Sequence, residues 1–256
     1  MGRPPRYPDC HLSGRHLNRR KHRMAQDAPG PDNAGMQTDL DTQGWAVLPG
    51  LLAPDQCATL VGFYDAPDLF RSQVVMARHG FGRGEYRYFA NPLPSIVANL
   101  RQSLYPTLAP IANRWYATMG MAPRFPASHA EFLARCHADG QTKPTPLLLK
   151  YGSGDYNCLH QDLYGPHVFP LQVAILLNAP GDDFEGGEFV LTEQRPRMQS
   201  RVAVVPLRQG DAVVFAVNQR PVQGTRGIYR VNLRHGVSVV RSGHRHTLGV
   251  IFHDAA

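Results

Sequence analysis

Apolar and polar positions follow two rhythms along this chain. From residue 146 onward the apolar runs are strand-sized: "PLLLKY", "LQVAILLN", "GEFVLT", "SRVAVVP", "DAVVFAV", "HGVSVV" and "TLGVIFH". Gly, Pro, Asn or Asp punctuates the gaps, and no helical segment intervenes. Short strands at that spacing predict a sandwich or barrel. With the early run "WAVL", about eight strands are available, enough for a jelly roll of two facing sheets. Before residue 146 the rhythm is helical. Ala53-Pro54-Asp55 starts one helix, with proline in the first turn, where its missing N–H costs nothing. Ile96, Leu100, Leu104, Leu108, Ile111 and Trp115 mark a second helix over 95–118, which Pro106 and Pro110 are expected to break or kink. A third covers 128–138, where Ser128 and Glu131 form a capping box. Residues 71–90, "RSQVVMARHGFGRGEYRYFA", interleave arginines, aromatics and glycines and read as a hairpin or lid.

The pattern divides the chain into three parts: a basic disordered tail and linker over 1–40, a strand and helix support region with a lid over 41–145, and a jelly-roll core over 146–256. Residues 41–256 form one globular domain. The expected fold is therefore mainly β with supporting α, a double-stranded β-helix packed against N-terminal helices.

Composition refines this picture. With 256 residues and 43% hydrophobic content, the chain can bury a large core. No run approaches the roughly 18 apolar residues of a membrane span. The net charge of +7 is concentrated at one end. Arg3, Arg6, Arg15, Arg19, Arg20, Lys21 and Arg23 face the single acid Asp9, so the remainder is close to neutral. Such a tail reads as solvated, and it also suits nucleic acid or an anionic surface. Met24 opens a smoother sequence and is a candidate start of the native chain. The tail lacks the apolar core of a signal peptide. Cys10, Cys57, Cys136 and Cys158 include no C-x-x-C pair, which argues against a zinc knuckle or redox pair. Scattered thiols without an export signal imply a reducing, cytoplasmic setting.

Candidate chemistry centres on "NCLHQDLYGPH", residues 157–167. On a strand, residues i and i+2 point to one side, so His160 and Asp162 can reach one ion while Gln161 points away. His235 opens a late strand that a jelly roll places beside the first. Two histidines and one carboxylate on one face of an octahedron make the facial triad of non-heme Fe(II) oxygenases. Catalytic zinc is the alternative, usually built from more His or Cys. Arg245, after nine intervening residues, lies on the next strand, where a buried guanidinium can pair with the far carboxylate of a chelating dicarboxylate. Tyr151 can add a hydroxyl donor. For substrate, Arg78, Arg83 and Arg87 with Tyr86 and Tyr88 suit stacking and charge neutralisation on single-stranded nucleic acid, or a lid over an anionic substrate. His167 lies in the loop at the expected mouth.

"YGSGDYNCLHQD", "GGEFVL", "GDAVVF" and "HGVSVVRSGHRHTLGVIFHD" resemble the Fe(II)- and 2-oxoglutarate-dependent oxygenases over roughly residues 146–254. The last segment is similar to the prolyl-hydroxylase-type pattern H-G-V-x-x-V-x-x-G-x-R. The "HQDLYG" neighbourhood and the overall layout resemble the bacterial Oxygenase-NA group, proposed to demethylate damaged nucleic acid by analogy with AlkB. The R-x-N-x-T-x-R run of AlkB proteins is absent, since the corresponding strand reads "RHTLGVIFHD". The resemblance implies a dioxygenase with His160, Asp162 and His235 as iron ligands, Arg245 as 2-oxoglutarate anchor with Tyr151 as a further candidate, and O2 as second cosubstrate. The implied substrates are alkylated single-stranded nucleic acid, a protein side chain such as proline, or a small molecule. A jelly-roll binding or sensor protein without turnover is the reading from another class, and an open metal face with an anion anchor argues against it.

Overall fold

Two antiparallel sheets face one another, and helices cover the outer side of the larger. The structure, a computed structural model, describes residues 33–122 and 125–256. The basic segment 1–23 and residues 24–32 of the expected linker lie outside the described residues. In chain order the elements are α1 (Asn33–Gln43), β1 (Trp45–Leu48), α2 (Pro54–Gly62), β2 (Phe70–Val75), β3 (Gly82–Arg83), β4 (Glu85–Phe89), α3 (Ser95–Thr118), α4 (His129–Ala138), β5 (Leu147–Tyr151), β6 (Tyr156–His160), β7 (Leu171–Leu176), β8 (Phe184–Gly186), β9 (Phe189–Gln194), β10 (Arg201–Val205), β11 (Ala212–Ala216), β12 (Gln219–Gly224), β13 (Gly227–Val237), β14 (Val240–Gly243) and β15 (Arg245–Val250). The larger sheet runs β1-β11-β7-β15-β5-β4-β2. The smaller runs β10-β9-β13-β6-β3, with β12 paired to β13, and β8 and β14 form a separate ribbon. None of the helices is long and apolar enough to cross a membrane, among the described residues.

In the middle of the larger sheet β7, β11 and β15 are buried on both faces, which is why β7 and β11 read as nearly unbroken apolar runs. On β7, Val173 and Ile175 pack against the helices. Ala174 packs between the sheets with Phe189, Leu191, Val213 and Phe215. The strand count exceeds the expected eight because β2 and β4 come from the hairpin, and β3, β6, β8, β12 and β14 are short or polar and carry little apolar alternation.

Two helices depart from expectation. Residues 33–40, read as linker, belong to α1. Met36 and Leu40, four apart, are buried in the core. The Arg220 guanidinium donates to the Asp41 and Thr42 carbonyls at the end of α1. The partners that hold this helix are therefore distant in sequence. α3 runs unbroken through Pro106 and Pro110. Both prolines lie on the exposed face, while Leu104, Leu108, Ile111, Ala112 and Trp115 are buried on the other. Each proline costs about 3 kcal/mol, and each large buried side chain returns about 1.5–3 kcal/mol, so the packed face wins. At the start of α4, Ser128 Oγ accepts from the Glu131 N–H at 3.2 Å, one half of the expected capping box.

The arginine-aromatic stretch is a hairpin with a structural task. β2 and β4 extend the edge of the larger sheet, while β3 at the tip pairs with β6 of the smaller. The hairpin thus spans both sheets. Gly82 makes this possible, at φ +129° with an added Cβ only 2.3 Å from the Tyr156 carbonyl.

Three buried imidazoles set an acid limit on stability. Burial holds His129, His246 and His253 down to about 4, aided by Arg101 for His129 and His253 and by Lys150 for His246. Between pH 6.5 and 4 the unfolded chain therefore binds more protons than the folded one. Stability is full above 6.5 and falls as pH drops towards 4, by at most about 1.4 kcal/mol per pH unit for each histidine. Urea midpoints measured from pH 8 to 4.5 should be flat at first and then decline. A midpoint that rises on acidification would contradict this assignment.

Candidate metal and cosubstrate site

β6 and β13 lie side by side with His235 directly opposite His160. Asp162 follows two residues after His160, just past the strand end. The ligand atoms of these three residues all lie within 4.8 Å of one another. His160 Nε2 is 3.5 Å from Asp162 Oδ1, and His235 Nε2 is 3.4 Å from Asp162 Oδ2. Gln161 turns the other way and donates to Asn218 Oδ1 and the Leu233 carbonyl, as strand alternation requires.

The surroundings orient each donor. His160 Nδ1 lies 2.8 Å from the Cys158 carbonyl. A carbonyl can only accept, so Nδ1 carries the proton and Nε2 presents its lone pair to the cluster. His235 is held by ring contacts with Phe189 and Phe215, at 6.0 and 4.6 Å between centres. Its Nδ1 is buried without a partner. Burial and the neighbouring His235 lower the His160 pKa. Burial alone would raise that of Asp162, but hydrogen bonding and charge from His235, with His160 and the Tyr164 hydroxyl, hold it below the usual carboxylate range. An ionised carboxylate and two imidazoles, each able to turn a lone pair to the ion once its inward nitrogen is free of a proton, are the donor set a divalent cation requires.

Arg245 is 1% exposed and sits directly opposite Tyr151 in the sheet. Its Nη1 donates to Thr247 Oγ1 at 2.6 Å, while Nε is buried without a partner. Tyr151 and Phe184 flank the guanidinium, 5.5 and 6.0 Å from ring centre to Cζ. The nearby Glu188 pairs with Arg241 instead. Burial lowers the Arg245 pKa to about 10, so it stays charged at neutral pH. A buried cation with a spare donor and, among the described residues, no carboxylate partner fits an incoming anion. Tyr151 is pushed up to about 12 by burial, against the opposing charge of Arg245, and its hydroxyl accepts from Asn157 Nδ2 at 3.4 Å. One cavity of about 380 Å³ has the triad, Arg245, Tyr151, Asn157 and Thr247 in its walls.

The remaining expected site residues separate. Tyr86 and Tyr88 line the cavity. Arg87, between them on β4, faces the other side, where it donates to the Tyr64 carbonyl and lies 4.4 Å over the Tyr64 ring. Arg78 and Arg83 are exposed near the hairpin tip, outside the cavity wall. His167 is drawn away from the mouth, with its ring on Asp139 and its N–H on Gln141 Oε1. Several wall residues were not foreseen. Thr247 follows Arg245 by two on one strand, and Gln172 is the polar residue inside "LQVAILL"; both carried a readable signal. Tyr164, two residues after Asp162, donates to Asp162 Oδ1 at 2.8 Å. Asn157 had no signal.

Residues 84–255 match the pattern of the Oxygenase-NA family, described as "Oxygenase, catalysing oxidative methylation of damaged DNA". The chain belongs to the Oxygenase-NA family. It is 52% identical over 168 residues to uncharacterized proteins from two strains of Mycobacterium tuberculosis, a match spanning 66% of this chain and 72% of each relative. Among solved structures, the Oxygenase-NA chain is similar in fold to a Pseudomonas putida prolyl-4-hydroxylase, at TM-score 0.51 and 15% identity, covering 88% of this chain and 99% of the other. It is similar too to a 2OG-Fe(II) oxygenase family oxidoreductase from Burkholderia pseudomallei, at TM-score 0.50 and 17% identity, covering 90% and 96%. The family's printed description makes this Oxygenase-NA protein an oxygenase, and the His160–Asp162–His235 cluster is a donor set that fits Fe(II).

Proposed function

We propose that this enzyme hydroxylates a C–H bond on an alkylated base of single-stranded nucleic acid and so removes the alkyl group. His160, Asp162 and His235 hold the iron, Arg245 holds the distal carboxylate of 2-oxoglutarate, and Tyr151 adds a neutral hydroxyl beside it. Iron, when bound there, couples O2 reduction to decarboxylation of 2-oxoglutarate, giving succinate and carbon dioxide and delivering one oxygen atom to the substrate carbon. The chain's part is orientation and exclusion of water. Arg245 and Thr247 fix one end of the cosubstrate. The apolar walls, Leu147, Leu149, Phe189 and Phe215 among them, keep the reacting volume dry. An N-methyl carbon hydroxylated in this way releases formaldehyde and leaves the bare nitrogen.

The observation that carries the substrate reading is the aromatic wall. Tyr86 and Tyr88 stand edge to face, 5.4 Å apart, on the cavity side of the hairpin, where a planar base can stack. The family's printed description also names damaged DNA as the substrate, although it words the reaction as oxidative methylation. The test is succinate release by the full chain, with panels of methylated oligonucleotides, peptides and metabolites. Methylated single strands should stimulate it. Tyr86→Ala should lower that stimulated kcat/KM by about 5- to 150-fold, since a stacked base is worth about 1–3 kcal/mol. Stimulation by peptides with silence from every oligonucleotide would replace the nucleic-acid reading with side-chain hydroxylation.

A further inference from the structure

Asp162 differs from the two histidines in how it is held. His160 and His235 sit on paired strands, whereas Asp162 lies past the end of β6 in a segment without ladder hydrogen bonds. A carboxylate on such a segment can turn either oxygen to an ion. Something other than the sheet has to orient it.

The molecule contains a device for this, at two levels. The first fastens the backbone. Gln141 is fully buried, and its side-chain amide donates to the Tyr164 carbonyl at 2.9 Å and accepts from the His167 N–H at 2.8 Å. It also contacts the His167 and Asp254 carbonyls at 3.1 and 2.5 Å. Gly165 lets the loop lie against that amide, at φ +82° with an added Cβ 2.6 Å from Gln141 Cδ. The second level fastens the carboxylate. An ionised carboxylate only accepts, so the Tyr164 hydroxyl spends its proton on Asp162 Oδ1 at 2.8 Å. The Tyr164 oxygen then accepts from the Tyr88 hydroxyl at 3.3 Å. The donors run in one direction, from Tyr88 on the hairpin through Tyr164 to Asp162.

We propose that Tyr164 is a positioning residue for the metal site. Its hydroxyl fixes Asp162 Oδ1 and leaves Oδ2 as the atom offered to the ion, and Tyr88 holds the Tyr164 hydroxyl in that orientation. The inference rests on the reading of His160, Asp162 and His235 as the metal ligands. Outer partners of metal ligands typically change metal affinity by about 10- to 100-fold when removed, and hydrogen bonds in series strengthen one another.

The test is an anaerobic Co(II) titration of the full chain, followed by visible absorption, for the wild type, Tyr164→Phe, Tyr88→Phe, the double variant and His160→Ala. Tyr164→Phe keeps the ring and removes one hydroxyl. It should weaken Co(II) binding by about 10- to 100-fold, while the thermal midpoint of the metal-free protein and the KM for 2-oxoglutarate at saturating Fe(II) stay put. A residue with a merely structural role would move the midpoint and leave the metal affinity alone. Tyr88→Phe should weaken binding by a smaller factor and have no further effect once Tyr164 is Phe, the non-additivity expected of one chain of contacts. Wild-type affinity in Tyr164→Phe, with binding lost in His160→Ala, overturns the positioning role and leaves the ligand assignment intact. Wild-type affinity in His160→Ala overturns the ligand assignment itself. Should Tyr164→Phe lower the metal-free midpoint, Tyr88→Phe decides, because it leaves Tyr164 in place; unchanged affinity there overturns the relay.

Discussion

His160→Ala and His235→Ala should each abolish stoichiometric Fe(II) binding and succinate formation. The wild type, purified without oxygen, should bind about one Fe(II) per chain. Three ligand atoms within 4.8 Å of one another leave no spare donor to take over the role of either imidazole among the described residues. Loss of one histidine also leaves the buried Asp162 carboxylate with one neighbouring imidazole instead of two, in a site where burial already opposes its charge. Chelation of the wild type should reproduce the defect, and added Fe(II) should reverse it in the wild type but in neither variant. Asp162→Ala is expected to inactivate as well. Full succinate production by either histidine variant would sink the triad assignment.

Arg245→Ala is expected to leave iron bound while raising the 2-oxoglutarate requirement steeply. Removing one partner of a buried charge pair costs about 3–5 kcal/mol, which corresponds to roughly 100- to several-thousand-fold in affinity. The effect should fall on the KM for 2-oxoglutarate, measured at saturating Fe(II). Arg245→Lys should recover only part of it, because a point charge does not reproduce the planar two-pronged donor. An unchanged KM in Arg245→Ala would mean that another cavity residue holds the distal carboxylate.

Local chemistry explains which parts of the site could be read in advance. His160 and Asp162 were legible as a pair because a strand repeats every two residues. The same period makes Tyr86 and Tyr88 share a face and puts Arg87 on the other. Composition alone groups the three together, because arginine and tyrosine both suit a nucleic-acid surface. Tyr164 stands two residues after Asp162, yet the segment is not a strand, and Gln141 fastens the loop from which its hydroxyl reaches Asp162. That glutamine sits 23 residues away in the chain. His167 was expected at the mouth from its nearness to Asp162 in sequence, and its ring goes to Asp139 instead.

By itself the sequence determined the architecture and the reaction class. Apolar runs with two-residue and 3.6-residue periods specify strands and helices through local sterics and burial, and the H-x-D, late histidine and following arginine keep their spacing whatever surrounds them. Tertiary structure alone decided the rest. It makes 33–43 helical, through the burial of Met36 and Leu40 and the Arg220 contacts at its end. It carries α3 through two prolines, because one packed face outweighs two missing hydrogen bonds. It also leaves Arg245 buried without a carboxylate partner among the described residues, which no residue pattern along the chain can announce. Each of these outcomes depends on contacts between residues far apart in the chain, and such contacts exist only once the two sheets and their helical layer have closed around them.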